Sequence, residues 1–302
     1  MVVPPELAEE YPWTGRWLTV EGGHRLHYLD EGRGEPLLFV HGNPTWSFYW
    51  RHLVKGLSDQ YRCIVPDHLG CGLSDQPEDW PYTLQAHVDN LVHLVTALDL
   101  HDVTLVVHDW GGPIGFGTAL QLPDRFKRLV VFNTGVFDGP LPASIKMCRW
   151  PVLGPFVVQG LNGFVRAGLL MAIADRKRLR GPTRKGYLLP WRSVASRRTI
   201  LRFVQDIPLE EDHPTRGFFF AIDAGLPTLA DRPMLIVWGE QDFCFTPAYR
   251  KEWQKRFPDA EVHPLEHAGH WVVEDAHERI VPLLGDWLAR HPLAAEARKA
   301  HP

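Results

Sequence analysis

Residues 105–112 read Leu-Val-Val-His-Asp-Trp-Gly-Gly, a short apolar run that ends in polar residues and two glycines. The apolar run is typical of a buried strand, and the segment Ile114–Leu122 that follows has a helical pattern. Asp109 lies at the turn between them. Pro113 suits the first turn of the helix, because its missing N–H has no partner there in any case. The stretch therefore predicts a strand, a sharp turn and a helix, with a carboxylate at the turn.

The carboxylate of Asp109 changes the chemistry expected of such a turn. Hydrolases with a strand–turn–helix elbow usually place serine there, in the pattern Gly-x-Ser-x-Gly. Serine must first lose a proton, whereas an aspartate with an ordinary pKa of about 3.9 is already ionised at neutral pH. It can attack carbon directly and form an ester. An aspartate that only caps the helix is the alternative, and the choice depends on its partners.

Strands and helices alternate along most of the chain. Two alternating segments around Gly22-Gly23 predict a hairpin, and a helical pattern covers Gln85–Leu98. The predicted strands are Arg16–Val20, Arg25–Leu29, Pro36–Val40, Cys63–Pro66, Val103–Val107, Leu129–Phe132, Met234–Trp238 and Ala260–Pro264. The pattern predicts an α/β fold with a mostly parallel, eight-stranded sheet flanked by helices.

One long interval interrupts this alternation. Between Asn133 and Met234 no segment has a convincing strand pattern, and prolines punctuate the region. Its helix-like pieces are Pro155–Ile173, Thr183–Leu189, Val194–Val204 and Arg216–Ala224. We therefore expect a helical cap at 139–227, inserted into a main domain formed by residues 1–138 and 228–302. The segment beyond Pro292, rich in Ala, Glu, Arg and Lys, is expected to fray or to end a helix.

Composition and charge exclude several classes of protein. The chain has 302 residues, 45% of them hydrophobic and 23% charged, with a net charge of −4. Because no basic cluster dominates, nucleic acid is not an expected partner. The four cysteines lack metal-ligand spacing and are expected to be reduced thiols. The first residues lack the pattern of a secretion signal, and no apolar run is long enough for a membrane span, so a cytoplasmic protein is expected.

Two further polar residues follow late strands and complete a catalytic group with Asp109. His270 follows the last predicted strand and could activate the water that hydrolyses an ester. Asp242 follows Met234–Trp238 and could orient that histidine. His267 and Glu240 are the rival candidates, respectively. The chain order of nucleophile, acid and base favours Asp109, Asp242 and His270.

Two neutral donors are expected beside the carboxylate. Asn43 lies in His41-Gly-Asn-Pro-Thr-Trp46, a loop after the strand Pro36–Val40 that faces the elbow in such folds. Its side-chain amide and the indole N–H of Trp110 could hold a departing anion. Plain packing is the alternative role for Trp110. The loop Asp67–Asp75 is expected to be structural.

Together these motifs resemble the haloalkane dehalogenases of the α/β-hydrolase superfamily. The resemblance rests on the segments His41–Trp46, Asp67–Asp75, Val107–Gly112, Trp238–Asp242 and Gly269-His270. It implies that Asp109 is the nucleophile, Asp242 the acid and His270 the base, with halide held by Trp110 and Asn43. Asn133-Thr-Gly135 offers no carboxylate for the acid position that another subgroup uses, so the third subgroup is the better match.

That subgroup is similar to the β-lactone decarboxylases of bacterial olefin biosynthesis. The first expectation is hydrolytic dehalogenation of haloalkanes through an ester on Asp109. The alternative is decarboxylation of cis-β-lactones to alkene and carbon dioxide by the same residue. Either reaction implies a small apolar substrate, with water as second reactant for dehalogenation, and no metal or organic cofactor. A homo-oligomer is left open.

Two other functions are less compatible with the sequence. Epoxide hydrolases share the His-Asp-Trp-Gly elbow but need two cap tyrosines, and residues 139–227 contain only Tyr187. A non-catalytic receptor of this fold would not need the intact set of catalytic positions. The apolar residues that either line the pocket or belong to the core are Phe137, Trp150, Phe164, Leu169, Ile173 and Phe203.

Overall fold

The chain folds around one twisted sheet, seen in a computed structural model that describes residues 2–293. The strands are β1 Arg16–Thr19, β2 Arg25–Glu31, β3 Pro36–Val40, β4 Arg62–Pro66, β5 Val103–Val107, β6 Phe126–Phe132, β7 Met234–Gly239 and β8 Glu261–Leu265. Their order across the sheet is β1-β2-β4-β3-β5-β6-β7-β8. The pairs β1–β2 and β2–β4 are antiparallel, and the other neighbours are parallel. The predicted mostly parallel, eight-stranded sheet is confirmed.

Helices cover both faces of the sheet. They are α1 Arg51–Leu57, α2 Leu84–Ala97, α3 Gly111–Gln121, α4 Ala143–Met147, α5 Gly163–Met171, α6 Gly181–Leu188, α7 Arg198–Gln205, α8 Arg216–Gly225, α9 Pro247–Arg256 and α10 Val272–Arg290. Side chains that alternate along β5 enter two different cores. Leu105 and Val107 pack in one cluster, and Val106 packs in the other. A strand buried on both faces explains why this segment is apolar apart from Thr104.

The interval between β6 and β7 is helical, as the sequence predicted, and contains α4 to α8. The predicted single helical piece Pro155–Ile173 is instead divided into a π-helical segment, Pro155–Gly160, and α5. Asn162 between them has a φ of +53° and donates from Nδ2 to the carbonyl of Trp191 at 3.3 Å. A contact with a distant residue therefore stabilises the break. The cap limits of 139–227 stay a prediction.

The loop Asp67–Asp75 is held by a buried carboxylate. Asp67 is fully buried and accepts hydrogen bonds from Nδ1 of His27 at 2.8 Å and from the backbone N–H of Ser47 at 2.6 Å and Leu73 at 2.9 Å. Three donors offset the cost of burying this charge. The loop thus joins β2 to the segment that follows the Asn43 loop.

The remaining sequence expectations concern thiols, membranes and the C-terminus. All four cysteines are free. Within residues 2–293, no helix combines the length and the apolar character needed to cross a bilayer. The segment beyond Pro292 that was expected to fray or end a helix lies, after Leu293, outside the described residues.

Candidate active site

The carboxylate at the centre of the site stands on a strained turn. Asp109 lies between β5 and α3 with a φ of +52°, a region that residues with a side chain rarely adopt. Its backbone N–H donates to the carbonyl of Asn133 at 2.9 Å. A Cβ on Gly111 would lie 2.0 Å from the carbonyl oxygen of Val40, so the tight turn requires glycine there. Such strain is typical of functional sites.

Backbone donors surround the Asp109 carboxylate. The N–H of Asn43 donates to Oδ1 at 2.6 Å, and the backbone N–H of Trp110 also stabilises the charge. Burial raises the pKa of Asp109 above its ordinary value, although the His270 charge and these amides act in the opposite direction. The carboxylate is 7% exposed and faces a cavity. It is therefore a desolvated anion with open space before it.

His270 and Asp242 form a hydrogen-bonded pair beside it. Nδ1 of His270 lies 2.8 Å from Oδ2 of Asp242, and because a carboxylate only accepts, Nδ1 is the donor. Nε2 then faces Oδ2 of Asp109 at 3.7 Å. Burial alone would lower the pKa of His270, but the carboxylates of Asp242 and Asp109 outweigh it and raise that pKa. The ring sits between two negative charges.

The structure separates the candidates from their rivals. Asp242 is buried after β7 and accepts at Oδ1 from the backbone N–H of Cys244 at 2.6 Å and of Phe245 at 3.0 Å. Glu240 instead accepts from Arg250 Nε at 2.7 Å. His267 is exposed, on the loop after β8. The geometry therefore brings Asp109, Asp242 and His270 together and leaves both rivals outside.

Asn43 and Trp110 both border the cavity. One N–H of the Asn43 amide donates to the carbonyl of Ile200 at 3.3 Å, which leaves the second N–H for a ligand. Within residues 2–293, Oδ1 of Asn43 is buried without a hydrogen-bond partner. The Trp110 ring packs on Phe203 with centroids 5.3 Å apart. The sequence anticipated both donors but not the contact with Ile200.

A cavity of about 390 Å³ opens in front of Asp109. It is walled mainly by apolar side chains, among them Phe164, Phe219 and Phe245, and His270 also borders it. A large apolar pocket with a few converging polar groups is typical of a small-molecule site. The pocket thus fits an apolar substrate whose one reactive group meets the carboxylate.

Only some of the six candidate lining residues border this cavity. Phe137 and Phe164 do. Leu169, Ile173 and Phe203 pack in the two cores instead. Trp150 borders a separate, shallow surface groove.

The segment between β6 and β7 fixes the Asn43 loop. The indole N–H of Trp46 donates to the carbonyl of Gly186 at 3.0 Å, and that of Trp191 donates to the carbonyl of Pro44 at 3.1 Å. Together with the bond from the Asn43 amide to the Ile200 carbonyl, three hydrogen bonds join the segment between β6 and β7 to the Asn43 loop. This loop also contacts the carboxylate of Asp109. Motions of these helices would therefore move the site.

Two buried side chains that the sequence reasoning missed support the group formed by Asp109, Asp242 and His270. Burial holds the pKa of His108 well below its ordinary value, and the neutral ring donates from Nε2 to the carbonyl of His270 at 2.7 Å. Asn133 bridges strand ends through Gly239, donating from Nδ2 to its carbonyl at 3.0 Å and accepting its N–H at 2.8 Å. The available signal was their position in the sequence: His108 directly follows β5 beside Asp109, and Asn133 directly follows β6.

Tyr187 lies outside the cavity. It is fully buried, stacks on Trp271 with centroids 4.4 Å apart and donates to Glu274 Oε2 at 2.8 Å. Its hydroxyl is therefore committed to a carboxylate elsewhere. This placement gives no support to the epoxide hydrolase alternative.

Comparison with known proteins identifies relatives with two activities. Residues 35–276 match the family model described as the alpha/beta hydrolase fold. A cis-3-alkyl-4-alkyloxetan-2-one decarboxylase of Shewanella oneidensis is 44% identical, with 86% of this chain and 83% of the relative covered. A decarboxylase of the same name from Xanthomonas campestris is 41% identical, with 94% and 98% covered. The curated relatives are thus enzymes.

Haloalkane dehalogenases are the second group. Haloalkane dehalogenase 2 of Mycobacterium tuberculosis is 30% identical, with 89% of this chain and 93% of the relative covered. The crystal structure of haloalkane dehalogenase DatA from Agrobacterium tumefaciens C58 superposes with a TM-score of 0.81 at 28% identity, covering 92% and 97% of the two chains. The resemblance inferred from the motifs is confirmed, and the decarboxylases share more of the sequence.

Proposed function

This chain belongs to the α/β-hydrolase fold family, and we propose that it decarboxylates cis-3-alkyl-4-alkyloxetan-2-ones, the β-lactones named in its decarboxylase relatives. The observation that carries this choice is the identity of 44% and 41% with two such decarboxylases, against 30% with a dehalogenase. The comparisons thus favour the alternative drawn from the sequence over its first expectation. The apolar cavity suits two alkyl chains.

The first step proposed is attack by Asp109. A carboxylate oxygen of Asp109 forms a bond to C4, the alkyl-bearing ring carbon next to the ring oxygen. The bond between C4 and the ring oxygen breaks. The electron pair leaves on the oxygen, so a free carboxylate forms on the neighbouring carbon. Trp110 and Asn43 both border the cavity, and in this proposal the indole N–H and the free amide N–H hold that anion. Asp109 is then joined to the substrate as an ester.

The second step proposed returns the enzyme to its starting state. The bond to the new carboxylate breaks and releases carbon dioxide, and its electron pair forms the carbon–carbon double bond. The ester bond to Asp109 breaks at the same time, so the aspartate departs as a carboxylate. Atoms and charge balance with no water consumed.

The pair His270–Asp242 acts through charge in this reaction. The Nε2 atom of His270 faces Asp109 at 3.7 Å, close enough for an imidazolium to stabilise the departing carboxylate. Asp242 fixes the ring and supports its positive charge. No proton has to cross the site.

Dehalogenation remains the second candidate, because the same residues support it and dehalogenases share the fold at a TM-score of 0.81. There Trp110 and Asn43 would hold halide. Neutral His270 would take a proton from water, and the hydroxide would hydrolyse the ester to an alcohol. This reaction consumes one water for each turnover.

A paired-substrate assay separates the two candidates. The enzyme is given a cis-dialkyl β-lactone or a bromoalkane of matched chain length. Alkene is measured by proton NMR at the assay temperature, because heating a β-lactone forms alkene without enzyme. Bromide release is measured in parallel. We expect alkene from the lactone, and little or no bromide.

Two variants make the assay specific. Asp109→Asn abolishes alkene formation, whereas Asp124→Asn, which changes an exposed carboxylate outside the site, leaves it intact. Bromide and alcohol without alkene would replace the proposal with dehalogenation. Alkene formation by Asp109→Asn at a rate within tenfold of the wild type would remove Asp109 from the mechanism.

A further inference from the structure

Residues 139–174, called here the outer cap segment, expose an unusual amount of apolar surface. Of the eleven large apolar side chains that are exposed within residues 2–293, seven belong to it. They are Met147, Trp150, Val152, Phe156, Leu161, Leu170 and Met171. Trp150 and Phe156 together border a shallow surface groove, so part of this surface is contiguous. Clustered exposed apolar side chains mark an interaction surface.

The same segment is positively charged. It contains Lys146, Arg149 and Arg166 and no Asp or Glu. Arg149 is paired with Glu210 at 2.8 Å, so the exposed Lys146 and Arg166 carry the positive charge of the segment. Residues 139–227 as a whole contain fourteen Lys and Arg against six Asp and Glu, a formal charge of +8. The rest of the chain carries −12, since the total is −4. Charge and exposed apolar surface therefore coincide on one part of a protein that is otherwise acidic.

This apolar surface continues into the substrate cavity. Met147 and Met171 border the cavity and are still 45% and 48% exposed, so they lie where it meets the surface. Phe164 borders the cavity from α5, whose Leu170 is exposed. An apolar ligand that enters past Met147 and Met171 would move from the exposed apolar surface of the outer cap segment to the apolar wall of the cavity. It would not have to cross water.

We propose that the outer cap segment docks on an anionic lipid surface, from which the apolar substrate enters the cavity. Exposed Trp150, 58% accessible, is a side chain suited to the interface between lipid and water. Basic residues near a bilayer are attracted by its negative surface charge. Apolar and basic groups on one face are the combination that surface-bound proteins use.

A lipid surface fits this face better than a second copy of the chain. If two copies met through the outer cap segment, two positively charged surfaces would face each other. The segment contains no acidic side chain that could pair with the basic residues of the other copy. Like charges across an interface oppose association. An anionic bilayer supplies the opposite charge and an apolar interior together.

The test is binding to vesicles without substrate, so it is independent of the proposed function. The full-length protein is sedimented with vesicles of phosphatidylcholine alone or mixed with phosphatidylglycerol. We expect cosedimentation with the mixed vesicles that salt weakens. The double variant Trp150→Ser/Phe156→Ser lowers the partition coefficient about tenfold or more, because two side chains no longer enter the lipid.

Matched variants show whether vesicle binding depends on the outer cap segment or on any exposed side chain. Trp17→Ser, which removes another exposed tryptophan, 42% accessible, leaves vesicle binding unchanged. Lys146→Glu/Arg166→Glu weakens binding to the anionic vesicles, whereas Lys127→Glu/Lys251→Glu, on exposed positions of β6 and α9, has a smaller effect. None of these side chains borders the main cavity, so turnover of a short, dispersed substrate is retained.

Two results would overturn the proposal. One is equal vesicle binding by the wild type and the Trp150→Ser/Phe156→Ser variant. The other is absence of vesicle binding, and analytical ultracentrifugation then decides what covers the face. A dimer that the double variant dissociates would assign the face to a second copy, and a monomer would leave a protein partner as the occupant.

Discussion

The surroundings of Asp109 and the outer cap segment are built in opposite ways. Around Asp109 the carboxylates and rings are buried, backbone donors point at them, and Gly111 allows an approach that no side chain would permit. In the outer cap segment apolar side chains face outward, and its three basic residues have no acidic neighbour within residues 139–174. Of the three, Arg149 pairs with a carboxylate from elsewhere, that of Glu210. The first region restricts the reaction to one geometry, and the second suits contact with a variable apolar ligand or surface.

This difference explains why the motifs point to Asp109 as a candidate nucleophile more specifically than they point to a substrate. Attack on carbon with an anionic leaving group needs the same carboxylate and donors whether the group is a halide or a lactone carboxylate. The choice between them depends on the wall of the cavity, much of which comes from the segment between β6 and β7. Changes in each region should therefore have different consequences.

The largest effect is expected at Asp109, the proposed nucleophile. Asp109→Asn keeps the size of the side chain but removes the attacking charge, and by analogy with other catalytic groups turnover falls by about 10⁴-fold or more. Steady-state product formation measures this, and circular dichroism verifies the fold. Residual activity within tenfold of the wild type would contradict covalent attack by Asp109.

The next effect concerns a buried ion pair between α1 and α10, outside both regions. Arg51 contacts Glu274 through two bonds of 2.7 and 2.9 Å, and Tyr187 donates to the same carboxylate. Glu274→Gln leaves the part-buried Glu10 as the one carboxylate that contacts Arg51 within residues 2–293, and it lowers the free energy of unfolding by about 3–5 kcal/mol. Urea unfolding measures this loss, and Tyr187→Phe should cost only about 1 kcal/mol.

The same pair gives stability a dependence on pH. Burial alone would raise the pKa of Glu274, but Arg51 outweighs it and holds that pKa well below the ordinary value. The stabilisation is complete above the unfolded pKa of about 4.3 and is lost as pH falls from there toward the folded pKa. Equal loss of stability on acidification in the wild type and Glu274→Gln would contradict this account.

A third effect is expected at the anion donor. Trp110→Phe keeps a ring against Phe203 but removes the indole N–H, and by analogy with oxyanion donors turnover falls about 10²–10³-fold. Kinetics with the β-lactone measure this. Unchanged turnover would return Trp110 to a packing role, which is the alternative the sequence left open.

A smaller effect is a displacement of the pH profile. Asp109 must be ionised to attack, so activity falls as pH falls through its pKa, which burial raises. His270→Gln removes the neighbouring charge that lowers that pKa, so the acid limb moves to higher pH. Loss of the imidazolium slows release of the Asp109 carboxylate, but turnover stays measurable because alkene formation needs no water. His267→Gln is the control and leaves the profile unchanged. An unmoved limb in His270→Gln would show that the two groups are not coupled.

The smallest effect is expected on the exposed face. Phe156 is 60% exposed, so Phe156→Ala changes the free energy of unfolding by less than about 0.5 kcal/mol. Phe132 is fully buried at the end of β6, and Phe132→Ala costs about 3–5 kcal/mol. Thermal unfolding compares them. A large loss in Phe156→Ala would mean that this face is part of the folded core.

How much the sequence revealed also differs between the two regions. The predicted bounds of β3 and β5 match the structure because each is a continuous apolar run between polar residues. The break at Asn162 and the exposure of Trp150 were not readable, because they depend on contacts with distant parts of the chain. An apolar pattern identifies a helix without saying whether its apolar side is covered.

Within the site, the acidic and basic residues were predictable and their supports were not. Each candidate group follows a strand, and the carboxyl ends of parallel strands meet at one edge of a sheet. The contacts of His108 with the His270 carbonyl and of Asn43 with the Ile200 carbonyl join residues more than a hundred positions apart. Such contacts become visible only when the chain is folded.

The most direct test of the central claim is the fate of the Asp109 oxygens. The enzyme turns over the cis-β-lactone in water labelled with heavy oxygen, and the peptide that contains Asp109 is weighed by mass spectrometry. Release of the aspartate by loss of carbon dioxide leaves its carboxylate unlabelled, and this is the result we predict. Heavy oxygen in Asp109 after turnover would show that water hydrolyses an ester or anhydride on it, and would contradict the proposed decarboxylation.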